Sequence, residues 1–483
     1  GSNQPPVNGG SNQPPVNGGS NQPPVNGGSN QPPANGGSNQ PPVNGGGNQP
    51  PANGGGGQFV PPPFVPEGNL NEFRPDQIAG LGVDDFKGFQ PDQMRELPPE
   101  AMGGFDANRV QNLAPEAMAG MDAQRFGALP PEAMAGFKGD QFANLPPAAM
   151  AGMDAQRFGA LPPEAMAGFQ PDQMRELPPE LMGGFDANRV QNLAPEAMAG
   201  MDAQRFGALP PEAMAGFKGD QFANLPPAAM AGMDAQRFGQ LPPDAFGGFQ
   251  PDQLKKLPVD LMGEFSPKEL GNLPPEAMGG FDPRRFGALP PVAMKGFKPE
   301  QFEVLPPSIF KSMESEQFAK LPPDAFEGFQ PSQLKKMAVD LFDIMEPSTF
   351  SEINPDAFAG FSPKKFNSLS EDLVSEIDDD QFASFKNKVI SKMDDDLLGS
   401  IDPGAFSGMT EKQAKKLKPG IVKDFSREQV RALDPEVVDA LPPAVFDSLE
   451  DEFSNKQLND LEALQGEGLP AQGDGENIGG PVI

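Results

Sequence analysis

The chain has no cysteine, no histidine, no tryptophan and no tyrosine. Without cysteine there is no disulfide framework and no thiolate to act as nucleophile or metal ligand. Without histidine there is no imidazole ligand and no ordinary general base near neutral pH. The serines therefore lack the partner that a Ser-His-Asp relay needs. No glycine-rich phosphate loop follows a strand pattern, so an enzyme is not expected. Positive charge is scarce as well. Against 67 Asp and Glu stand 36 Lys and Arg, a formal net charge of −31, which repels nucleic acid and anionic lipid. No apolar run approaches the ~20 residues that cross a bilayer, so membrane insertion is not expected. No signal peptide is visible and the first residue is Gly, so the sequence is expected to be a fragment or a processed chain.

Residues 1–58 repeat Ser-Asn-Gln-Pro-Pro-Val-Asn-Gly-Gly with small changes. One small apolar residue per nine cannot offset chain entropy. This leader is expected to be a disordered linker, with a proline-rich ligand for a partner domain as the alternative. Residues 59–72 bring the first apolar cluster and are expected to cap the structure that follows.

From Phe73 an eight-residue frame runs without insertion through residue 448, giving 47 octads. Position 1 is Phe, Leu, Met or Ile throughout, and position 6 is large and apolar except at Ala414. Spacings of five and three fit neither a strand nor a continuous helix. Position 2 is often Ser or Asp, which cap helices, and position 3 is often Pro, which opens them. Positions 1 and 6 then stand as N′ and N4, a hydrophobic staple. Gly at position 8, as in Gly120, Gly136 and Gly168, reads as a helix stop. One octad alone is too short to be stable, so neighbours must stack.

The octads alternate. One kind is Leu-Pro-Pro-x-Ala-Met/Phe-x-Gly, as in Leu129–Gly136. The other begins with Phe or Met and carries Gln, Arg or Glu at position 5. The expected fold is all-α: a solenoid of short helices in eight-residue units, about sixteen residues per coil. Blocks Phe89–Gly168 and Phe169–Gly248 are nearly identical, and Phe249–Gly328 is a diverged third copy. After Leu449 the frame slips, and residues 449–464 are expected to cap the solenoid. Residues 465–483 read as a disordered tail.

Two features carry possible chemistry. Asp378, Asp379 and Asp380 precede Asp394, Asp395 and Asp396 by sixteen residues, so a sixteen-residue coil would stack them into a weak calcium site. The competing reading places both runs at helix N-termini, where acids are favoured, and needs no cofactor. Lys255–Lys256 and Lys335–Lys336 fall near helix C-termini, which accounts for them without a polyanion-binding stripe.

Octads such as Phe297-Lys-Pro-Glu-Gln-Phe-Glu-Val304 and Phe425–Ala432 resemble the Leu-Thr-x-x-Gln-Val-x-Ala tracts of very large secreted bacterial surface proteins, RTX-type adhesins among them. The resemblance spans residues 73–448. It implies an extracellular or cell-surface setting and a structural role. The chain departs from it with Pro-Pro in alternate units and lacks the Gly-Gly-x-Gly-x-Asp nonapeptides that bind calcium. The expected function is a spacer or stalk. The alternative is a repeat scaffold that binds a protein or cell-surface partner.

Overall fold

The computed structural model describes residue 64 and residues 68–466. The leader at 1–58, much of the expected cap at 59–72 and the tail from 467 lie outside the described residues. Among those described there is no strand; short α-helices and 3-10 helices follow one another in the octad frame. Most helices start at position 3, and the longer ones run to position 8. Pro91–Glu96 is α, Pro99–Gly104 is 3-10, Ala107–Asn112 is α, and the pattern continues to Pro355–Gly360. The fold is the all-α octad repeat that the spacing implies.

The staple is present throughout. Positions 1 and 6 are buried in every octad except at the two ends, where Leu81 and Phe446 are half-buried. Together they form one continuous core from Leu70 to Leu461.

The sixteen-residue alternation is a chemical period, and the chain meets itself at a longer one. Each helix packs chiefly on the elements three octads before and after it, as Gly139–Asn144 packs on Pro115–Gly120 and Pro163–Gly168. Among the described residues, backbone bonds at one spacing fix the register: Ala114, Ala338 and Asn354 donate N–H to the carbonyls of Phe86, Phe310 and Phe326, each three and a half octads earlier. One turn therefore takes about three and a half octads, in place of the two expected. The reason is steric. An α octad with long side chains at position 5 packs against a 3-10 octad with Ala there, and a spacing of three octads always pairs the two kinds.

A 3-10 helix has three residues per turn, so positions 5 and 8 eclipse each other. In Pro131–Gly136 those are Ala133 and Gly136, and they make one flat face. The backbone carbonyl of Ala107 lies against it, so closely that a Cβ on Gly136 would collide with it. The same holds between Gly168 and Gly139, and between Gly296 and Pro267. Position-8 glycine thus permits close approach of two turns. It is not a left-handed helix stop, because the only positive φ among the described residues is at Gly68.

Bulk at position 5 changes this face. Leu181 stands where the first block has Ala101; Gly104 is buried against Pro75, but Gly184 is exposed. Leu261 and Leu341 recur in the same place one and two blocks on, and position 8 beside them is exposed Glu264 and Ile344.

At the N-terminal end Phe64 replaces a missing turn. Its ring stacks on Phe89 at 4.6 Å, and its carbonyl accepts from Gln93 Nε2 at 2.6 Å. At the other end a 12-residue helix, Asn455–Gly466, closes the stack and runs past the expected boundary at 464.

Candidate functional site

Among the described residues, buried polar side chains sit at position 5 of the α octads. Gln141, Gln173, Gln221, Gln253, Gln301 and Gln333 are at most 1% exposed. In each, Oε1 accepts the backbone N–H of position 2, as from Lys138 at 2.9 Å and from Gln250 at 2.8 Å. Each Nε2 donates across the turn to two carbonyls of earlier octads. For Gln173 these are Phe142 at 2.6 Å and Leu145 at 2.8 Å. One amide therefore caps its own helix N-terminus and the C-terminus of a helix four octads earlier. That satisfies backbone groups which a short buried helix would leave orphaned.

Where position 5 is Arg, position 2 is Asp. Asp122 accepts the Arg125 backbone N–H at 2.8 Å and pairs with its guanidinium, while Arg125 Nε donates to the Leu97 carbonyl at 2.8 Å. Arg157, Arg205 and Arg237 repeat this. In Arg109, Arg189 and Arg285 the octad begins with Phe instead of Met, and Nε has no partner although the terminal nitrogens still reach carbonyls of an earlier turn.

The sequence alone assigns no role to Gln or Arg at position 5. The available signal was its restriction to Gln or Arg in most α octads, while position 4 beside it varies among Asp, Gln, Asn, Glu, Ser, Lys and Arg.

Lys365 is the exception. It is 7% exposed, and Nζ donates to the carbonyls of Leu334 at 2.6 Å, Met337 at 2.7 Å and Lys335 at 3.1 Å. Burial pushes its amine down to about 8.

The aspartate triplets occupy N-cap to N2 of Asp379–Ala383 and Asp395–Gly399. Asp378 accepts the Gln381 N–H at 2.7 Å, and Asp394 accepts that of Asp396 at 3.3 Å. Asp395 pairs with Lys423 at 2.5 Å, and that hydrogen bond holds its carboxyl below the usual range. The two triplets are not stacked as a sixteen-residue coil would require. The first helix packs on Pro355–Gly360 and Pro403–Gly408, the second on Glu371–Val374 and Pro419–Val422. Among the described residues no group of three or more acidic side chains has the geometry to hold a metal ion. Lys255 and Lys335 lie in the last turns of their helices, as expected, and Lys255 pairs with Asp252 at 2.9 Å.

No helix among the described residues is long and apolar enough to cross a membrane. No protein-family model matches the chain, and no curated protein does.

Proposed function

We propose that the chain is a structural spacer: a stack of octads that separates other parts of a larger protein and performs no catalysis. One observation carries this reading. Among the described residues, the buried glutamines at position 5 are consumed in bonding one turn to another, so these interior polar groups serve the stack itself. The near identity of the first two blocks, exposed residues included, supports it further. A spacer is indifferent to which copy stands where, whereas a binding scaffold varies one face over a constant core. The octapeptide resemblance and the absence of cysteine favour an extracellular bacterial setting.

Affinity capture with the full chain, and with a chain lacking Phe169–Gly248, tests the proposal. A spacer folds in both forms and captures no stoichiometric partner. Saturable capture that is lost with one block would replace it with the scaffold reading.

A further inference from the structure

Glutamine at position 5 does two jobs: it accepts the position-2 N–H and donates to an earlier turn. Lysine can do only the second. Lys365 offers no acceptor to the Ser362 N–H, and its own N–H goes to Ser362 Oγ at 3.3 Å. The arginine octads supply an aspartate at position 2 as counter-charge; here that residue is the neutral Ser362. The charged side chains on the surrounding elements are mostly of the same sign. They are Lys335 and Lys336 on Pro331–Lys336, Lys364 on its own helix, Lys386 and Lys388 at Asn387–Ile390, and exposed Asp340 and Asp343 on Val339–Ile344. None of them forms an ion pair with Lys365, whose polar contacts are the three carbonyls. The amine thus holds together Pro331–Lys336 and Pro363–Phe366, where alternating turns give way to a stretch that is mostly α.

We propose that Lys365 makes this contact a pH-dependent seam, the place where the stack of turns opens first when the amine carries its proton. The ammonium has three donors for three carbonyls but keeps a charge out of water with no carboxylate beside it. The neutral amine gives up one donor and sheds that cost. Because burial holds the folded-state value at about 8 against 10.5 for a free lysine, the unfolded chain binds more protons between those values. The contact therefore strengthens as pH rises through that window and is weakest below it.

Brief digestion of the full chain with subtilisin, active from pH 7 to 10, reads the seam when cut sites are mapped by mass spectrometry and rates are normalised to a peptide substrate. Counting only cuts within residues 68–464, apart from the leader and tail, the first at pH 7 are expected within residues 334–345 or 361–369. Their rate should exceed cutting at the equivalent Gln333 contact by about tenfold or more, a factor that one pKa unit supplies. At pH 10 the excess disappears. Lys365→Gln removes it at both pH values, and Lys365→Met leaves the seam weak but insensitive to pH. Within residues 68–464, first cuts elsewhere, equal excess at the two pH values, or a pH dependence that survives Lys365→Met would each overturn the proposal.

Discussion

Residues 89–360 and residues 369–448 share one frame and one core but solve turn-to-turn packing differently. In the first stretch α and 3-10 octads alternate, and α faces 3-10 across the turns, with Ala and Gly presenting the flat surface that the next turn meets. In the second, helices of four or five residues such as Glu371–Val374 and Asn387–Ile390 succeed one another, and α mostly faces α. Where position 5 there is not Gln, it is mostly Leu or Val, as at Leu373, Val389, Leu397, Val437 and Val445, all buried. The single 3-10 unit described in that stretch, Pro403–Gly408, has Ala405 and Gly408, and Gly408 lies against the Asp379 carbonyl. The residues at positions 5 and 8 track how closely turns approach, not the kind of helix, since Val259–Glu264 and Val339–Ile344 stay 3-10 with Leu261 and Leu341 at position 5. Large side chains hold turns apart, so position 8 is free to be polar; small ones let backbones meet.

Octad deletions break the comparison most severely. Removing Leu209–Gly216 places like against like over the neighbouring turns and should abolish cooperative melting of that region by circular dichroism. Removing the two octads Met201–Gly216 keeps the pairing and should leave the transition intact. Removing Phe385–Lys392, where α already faces α, should cost much less than the first deletion.

Single side chains sharpen it. Gly168→Ala drives a Cβ into the Gly139 backbone and should destabilise the chain by about 3 kcal/mol in urea titration. Gly183→Ala, whose Cβ meets nothing, should stay within about 0.5 kcal/mol. Gln253→Ala strands the carbonyls of Phe222 and Leu225 and the Gln250 N–H, at a cost of about 2 kcal/mol.

The frame, the staple and the cap positions could be read from the sequence because they depend on neighbours within one octad. Ser426 and Gln429 illustrate this: their reciprocal bonds, at 2.9 and 3.1 Å, involve one octad only. The turn length could not be read that way. It depends on which octads meet across turns, and the sixteen-residue alternation suggested the wrong partner. Gly136 was assigned to helix termination for the same reason, since its actual neighbour, Ala107, stands more than three octads earlier in the chain. The role of position 5 stayed hidden because a glutamine looks alike on a surface and in a core until its distant carbonyls are placed. The aspartate triplets followed the turn length, and their proximity fell with it.

Smaller effects follow. Leu181→Ala should recreate the face of Ala101 and bury Gly184. Its cost of about 1 kcal/mol would fall below the range of about 2–5 kcal/mol usual for a core leucine. Asp394→Asn/Asp396→Asn should leave the heat of calcium titration of the full chain unchanged, because each triplet serves its own helix.

The turn length itself can be tested by cross-linking, since the chain has no cysteine of its own. A Cβ built on Gly139 lies 3.6 Å from Cβ of Ala167, three and a half octads on, within the range that a disulfide bridges. The chain carrying Gly139→Cys and Ala167→Cys should oxidise to an internal disulfide, detected as two blocked thiols and a loss of two hydrogens in mass. The pair Ala151→Cys and Ala167→Cys, two octads apart, should keep both thiols free. Closure of the second pair with the first left open would contradict a turn of three and a half octads.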